Sequence, residues 1–342
     1  MRFPQNIPKN EFETILTQIN EHRSTKQMKP LKMASVAQYC ANYNILSKLC
    51  EYDPESPDYF LEDYDTIMTG LDQPNQRTKK PLTDNSKRNY LNGVIVLLQT
   101  LGAESEIIMK FINTRDSLNE KYNEIKEKSE YTDEEKESLV THEQIDQMLS
   151  KIKKELIGLD AWTPREGLSD KTFNLLQFYT MMSLYRQHHL RNDFASLNVI
   201  RKREYNKLGD DMKANTNFLL LENKGFTIVL NDFKTNKEGK TTEIAITDKP
   251  TLTLLRKYIK VIGASGGMPL FAFHDCQMSS NQLTCFLQKY TKEYLGKKLG
   301  TRMLRKIFYT EKYGGLIEEL KNDAKENLHS TGVAMDIYTQ KS

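Results

Sequence analysis

The stretch from Lys126 to Leu139 most constrains the fold, because it is almost entirely charged and polar (Glu127-Lys128-Ser129-Glu130-Tyr131-Thr132-Asp133-Glu134-Glu135-Lys136-Glu137-Ser138). No apolar core can run through it, since burying unpaired charge costs more than packing returns. A chain of 342 residues is long enough for two cores, one on each side. The expected division is an N-terminal arm over 1–30, a helical domain over 31–130, a linker over 131–140 and a larger domain over 141–342.

The first part reads as helix throughout. After a helix from Asn10 to Arg23, the residues Val36, Tyr39, Cys40, Tyr43, Leu46 and Leu49 recur at steps of three and four. Pro54 and Pro57 break that pattern, and helix resumes from Tyr59 to Leu71. Thr83 or Asp84 can cap the next helix, whose stripe is Leu91, Val94, Ile95 and Leu98. A further helix is expected from Glu104 to Lys128.

The second part begins with a capping box, Thr141-His142-Glu143-Gln144. An apolar helix follows from Ser169 to Tyr185. Phe218–Leu221, Phe226–Phe233 and Thr242–Thr247 read as strands, the last two joined by the glycine-bearing turn Asn236-Lys237-Glu238-Gly239-Lys240. Helix returns after Pro250, apart from a loop at Gly263–Pro269, and runs from Ile317 to Asn327 near the end. The expected class is α+β and mostly helical: a helical N-terminal domain, then a mixed domain with a small three-stranded antiparallel sheet.

Charge narrows the possible partners. The formal net charge is only +3, so a uniformly basic coat is excluded, whereas a basic groove balanced by acidic faces is not. Cys40, Cys50, Cys276 and Cys285 form no CxxC pair and read as free thiols in a reducing compartment. No apolar run reaches the ~20 residues that span a bilayer, and the first residues lack the apolar core of a signal peptide. An intracellular protein without a membrane partner is expected. No Walker A, GxGxxG or HExxH sequence occurs, adjacent His188 and His189 make a poor metal pair, and no carboxylates are paired for magnesium. Neither metal nor cofactor is therefore expected.

Six residues carry candidate chemistry. Arg191 lies between two apolar stretches and needs a partner, either Asp193 or a phosphate. Lys234 ends a strand at a hairpin shoulder, where it is either an edge charge or an ammonium that can protonate a leaving oxygen. Arg302 and Arg305 border the stripe Leu304, Ile307 and Phe308, as a solvated face or as a phosphate clamp. His329 follows the last helix, and Tyr338 stands nine residues further on. Each is ordinary alone. Together, arginines, a lysine, a histidine and a late tyrosine suit attack of a tyrosine on a phosphodiester whose growing charge is held by cations.

In this order, these residues resemble the tyrosine recombinase (phage-integrase-like) family, whose catalytic domain carries Arg, Lys, His-x-x-Arg, His or Trp, and Tyr. Arg191 matches the first arginine, Lys234 the hairpin lysine, Arg305 the second arginine, His329 the histidine and Tyr338 the nucleophile. The Arg191-Asn192-Asp193-Phe194 form is similar to integrases of large DNA viruses and virophages. The resemblance covers about residues 140–340; before that, only helix content and Ser86-Lys87-Arg88-Asn89-Tyr90-Leu91 resemble the family's core-binding domain.

The resemblance implies a site-specific recombinase or integrase. It would bind duplex DNA at specific recombination sites as a homotetramer and join it through a 3′-phosphotyrosine. Arg77, Lys79, Lys80, Lys87 and Arg88 would contact phosphates from the first domain, and Lys237 and Lys240 from the hairpin turn. A type IB topoisomerase shares the chemistry, and a DNA-binding protein with a decayed site shares the surface. Three departures stand out. Arg302 replaces the family's histidine and cannot act as a base. Leu328 replaces the usual glycine before His329. The sequence runs only four residues past Tyr338, so the family's exchanged C-terminal helix is not expected.

Overall fold

The computed structural model describes residues 9–50, 63–74, 79–127, 131–233, 236, 240–264 and 266–326. The chain divides into two compact units, Met1–Glu130 and Tyr131–Ser342.

Among the described residues the first unit has five helices: α1 (Lys9–Thr25), α2 (Met33–Leu49), α3 (Tyr64–Asp72), α4 (Asp84–Leu101) and α5 (Ser105–Glu127). Asp63 caps α3 and Thr83 caps α4, each accepting a backbone N–H three residues on, worth ~1 kcal/mol per cap. The expected stripe Leu91, Val94, Ile95 and Leu98 is buried, together with Val36, Cys40 and Leu46 of α2, Ile67 of α3 and Phe111 of α5. The arm expected over 1–30 needs correction. Ile19 of α1 is buried in this core, and the Asn20 amide brackets the backbone of Leu31, accepting its N–H at 2.7 Å and donating to its carbonyl at 3.1 Å. Residues 59–62 of the expected second helix lie outside the described residues.

Residues 131–140 are not a free connection either. They carry a short helix, α6 (Asp133–Glu137), closed by a capping box between Thr132 and Glu135. Tyr131 donates its hydroxyl to Thr310 at 2.7 Å, Lys297 donates to the Leu139 carbonyl at 2.6 Å, and Val140 is buried. The acidic run that looked like a linker finds its counter-charges on the last helix.

The second unit continues with α7 (His142–Gly158), capped by the expected Thr141–Gln144 box, and α8 (Asp170–Gln187), capped by Ser169. Its sheet has five strands, not three: β1 (Leu197–Arg201), β2 (Asn217–Leu221), β3 (Phe226–Leu230), β4 (Thr242–Ile246) and β5 (Met268–Pro269), in spatial order β4-β3-β2-β1-β5. The expected antiparallel set β2-β3-β4 is present, but β1 runs parallel to β2, so the sheet is mixed. A parallel neighbour needs a crossover. Two short helices supply it, α9 (Lys202–Tyr205) and α10 (Asp210–Ala214).

Both faces of the sheet are covered, so Phe218–Leu221 of β2 read as an unbroken apolar run. Leu197, Val199, Leu219, Ile228 and Leu230 pack into the main core, while Ile200, Phe218, Leu220 and Val229 turn the other way against Tyr205 and Leu208. The main core is closed by α8, α11 (Lys249–Val261), α12 (Ser280–Leu295) and α13 (Thr301–Glu326). A small hairpin, β6 (Ala272–Phe273) with β7 (Cys276–Gln277), precedes α12. The last helix is one continuous element of 26 residues.

Candidate phosphate-binding site

Arg191 leaves α8 and opens a 3₁₀ turn over Asn192–Ser196 that feeds straight into β1. The turn is pinned from both sides. The buried Tyr185 donates its hydroxyl to the Arg191 carbonyl, and the Arg191 N–H donates to Asp193 Oδ2 at 3.2 Å. Arg305 approaches from α13, its Nε donating to the Thr301 carbonyl at 3.4 Å. Both guanidiniums act electrostatically on the Asp193 carboxyl. Burial lifts that carboxyl above its ordinary range, although the Arg191 N–H and the two arginines pull the other way. Burial also raises the Tyr185 phenol, with Asp193 adding to the rise and Arg305 opposing it.

Arg191 and Arg305, both half-buried, are linked through Asn192 and Thr301 into one centre, and among the described residues neither makes a direct ion pair. Two neighbouring guanidiniums without a carboxylate ion pair suit a tetrahedral oxyanion.

Arg302 goes elsewhere. Its side chain is 77% exposed and its Nη2 lies 3.5 Å from Glu135 Oε1, while Lys306 reaches Glu135 Oε2 at 2.5 Å. Burial pushes the Glu135 carboxyl up, but the Lys306 hydrogen bond, the Thr132 N–H and Arg302 outweigh it and hold it below its ordinary value. Arg302 thus fastens α6 to α13 and does not join the Arg191 centre. The grouping of Arg302 with Arg305 is corrected accordingly.

The hairpin base is tied to the arginine turn by a chain of amides. Ser196 donates to the Asp193 carbonyl at 3.0 Å, and the buried Asn217 donates to Ser196 Oγ at 2.8 Å and to the Asp232 carbonyl at 2.7 Å. Asn217 also accepts the N–H groups of Asn231 and Asp232 at 2.8 and 3.0 Å. Asn236 donates to the Asn231 and Lys240 carbonyls, and Thr241 donates to Asn231 Oδ1. Strand register puts Leu197, Asn217 and Leu230 at the same end of the sheet, so the arginine turn and the hairpin shoulder share that end. Lys234, Lys237, His329 and Tyr338 lie outside the described residues.

α13 is also held close to Arg191 through aromatic contacts. His189 stacks on Phe308 with ring centroids 3.5 Å apart, and His142 Nδ1 sits 3.1 Å from Glu311. Burial, helped by the nearby His142 and Arg186, depresses His189 to about 4 and keeps its imidazole neutral near pH 7.

The first unit's candidates divide. Lys87 is paired with Asp72 at 2.5 Å. Arg88 bonds to Asn119 and Asn85, each at 2.7 Å, and lies over the Tyr122 ring. These two serve the helical packing rather than a ligand. Lys79 and Lys80 are exposed, as is Lys240 in the second unit; Arg77 lies outside the described residues.

Sequence reasoning missed Asn192, Ser196, Asn217 and Thr301 as parts of this centre. One signal was available: Asn217 opens the apolar run Phe218-Leu219-Leu220-Leu221, and a buried amide there has to be fully bonded.

Compared with known protein families, curated proteins and solved structures, the chain has no match. Among the described residues no helix is long and apolar enough to cross a membrane, and no three His, Cys, Asp or Glu side chains cluster as a metal site.

Proposed function

We propose that this protein is a DNA strand-transfer enzyme of the tyrosine recombinase kind, cutting and rejoining duplex DNA through Tyr338. The observation that carries the reading is the link of Arg191 to Arg305, distant in sequence, through Asn192 and Thr301 at the sheet end that also bears the hairpin shoulder. The order of residues in the sequence supports it independently.

In this mechanism the Tyr338 oxygen attacks phosphorus and its proton passes to solvent. The P–O5′ bond breaks, Lys234 protonates the departing O5′, and a 3′-phosphotyrosine remains. Arg191 and Arg305, with His329, hold the non-bridging oxygens as charge builds. A second DNA 5′-hydroxyl then attacks the phosphotyrosine and releases Tyr338. Duplex DNA at specific sites, handled by four protomers, is the arrangement the resemblance implies. Phosphate contacts would fall to exposed cations such as Lys79, Lys80 and Lys240.

One observation favours a second reading, a DNA-binding protein without catalysis. The position of the family's histidine is Arg302, and it is engaged with Glu135. The test uses a pool of duplexes of randomised sequence with a bridging 5′-sulfur at a central linkage, which traps the adduct because the released thiol rejoins poorly. A protein–DNA adduct from the wild type, absent in Tyr338→Phe, supports the enzyme. Retention of DNA without any adduct supports the binding protein. Relaxation of supercoiled plasmid without exchange of strands between duplexes points to a topoisomerase.

A further inference from the structure

We propose that Asn192 is a positioning residue that fixes the distance between the two phosphate-holding guanidiniums. This rests on the strand-transfer reading above and gives a role to a residue outside the candidate set of Arg191, Lys234, Arg302, Arg305, His329 and Tyr338.

Asn192 is neutral and lies next to Arg191. Its amide nitrogen donates to the Ser280 carbonyl at 3.0 Å and to Thr284 Oγ1 at 3.1 Å, both in the first turns of α12. Its amide oxygen accepts from Thr301 Oγ1 at 2.6 Å, at the first residue of α13. Both donor hydrogens and the oxygen are thus used within the protein, leaving little capacity for a ligand. Thr301 holds the other end: its carbonyl accepts from Arg305 Nε at 3.4 Å. The path from one arginine to the other is therefore one peptide link, one short hydrogen bond to a buried threonine and one longer hydrogen bond.

Among the described residues no other pair of hydrogen bonds connects the two arginines so directly. Asp193 feels both charges, but its hydrogen bond is to the Arg191 N–H. An oxyanion clamp depends on donors set to within a fraction of an ångström, and a displacement of ~1 Å can cost ~100-fold in rate. Loss of Asn192 would free the arginine turn from α12 and α13 together, without changing the net charge of the site.

The experiment compares single-turnover adduct formation on two versions of one duplex recovered from the randomised pool. One has the natural phosphodiester at the scissile position; the other has a methylphosphonate, which carries no charge there. Asn192→Ala is expected to slow adduct formation ~10–100-fold on the phosphodiester. On the methylphosphonate its deficit relative to wild type is expected to shrink to about 3-fold or less, because there is less charge for the guanidiniums to hold.

Thr301→Val keeps the side-chain shape and guards against a folding failure in the first variant. It is expected to show the same preference with a smaller loss, ~3–10-fold, while Thr301→Ser restores the hydroxyl and the rate. Equal deficits on both substrates, or a Thr301→Val protein that matches wild type, would overturn the positioning role while leaving the enzyme reading intact. No adduct from the wild type on either duplex would overturn the enzyme reading, and this role with it.

Discussion

Each unit contains a pair of half-buried cations, and the two pairs are treated in opposite ways. In the helical unit Lys87 is neutralised by Asp72, and Arg88 is enclosed by Asn119, Asn85 and the Tyr122 ring. In the mixed unit Arg191 and Arg305 are held by backbone and neutral side chains, and the nearby carboxyl of Asp193 accepts a backbone N–H. A cation cancelled by its own fold serves stability. A cation fixed by neutral hydrogen bonds keeps its field for an incoming anion. The contrast within α13 is sharper still, since Arg305 donates to the neutral Thr301 carbonyl while Arg302, three residues earlier, is tied to Glu135.

The largest expected effect breaks the open pair. Arg305→Ala should lower the single-turnover adduct rate ~100–1000-fold, with little change in melting temperature. If Arg302→Ala caused the same loss, the distinction between the two arginines would be wrong; its expected effect is instead a modest weakening of α6, read by hydrogen exchange at 131–137.

Gly70→Ala tests the closed unit. A Cβ there would lie 2.6 Å from the Cys50 sulfur and 3.4 Å from the Cys50 nitrogen, so either the thiol turns away from the Thr66 carbonyl or α3 and the end of α2 move apart. Denaturant melts should show a loss of about 1–3 kcal/mol in the first unit, with Arg191-dependent chemistry spared.

The pH dependence of stability separates His189 from the rest. Its folded value, about 4, lies below the ordinary histidine value of 6.5, so the unfolded state takes up the proton first. This contribution to stability is fully present above 6.5 and is lost as pH falls from 6.5 towards 4. His189→Phe keeps a ring against Phe308 and should flatten the fall in melting temperature over that window; an unchanged slope would remove His189 as its source. The smallest effect belongs to the surface side of the closed pair. Asp72 is 68% exposed, so a double-mutant cycle of Lys87→Ala and Asp72→Ala should give a coupling of only ~0.2–1 kcal/mol.

Much of this arrangement was legible in the sequence where its cause is local. The Thr141 capping box and the stripe on α4 follow from neighbouring residues and appear as read, and of the two caps offered for α4 it is Thr83 that serves. The five-stranded sheet was not legible. β1 is five residues long and is recruited by a partner beyond a two-helix crossover, and β5 is a two-residue edge ending in proline. The acidic run at 131–137 read as linker because its counter-charges, Arg302 and Lys306, are far along the chain. For the same reason, sequence could not separate Arg302 from Arg305. Arg191 and Arg305 could be nominated from residue type and order, but Asn192 could not, because its significance lies in three partners on two distant helices.

The central claim is that the Arg191–Arg305 centre serves a phosphodiester attacked by Tyr338. Peptide mapping of the trapped adduct by mass spectrometry tests it most directly. The expected result is a nucleotide linked through its 3′-phosphate to Tyr338, with yield collapsing in Arg191→Ala and Arg305→Ala. An adduct on any other residue, or one whose yield is indifferent to both arginines, would contradict the account.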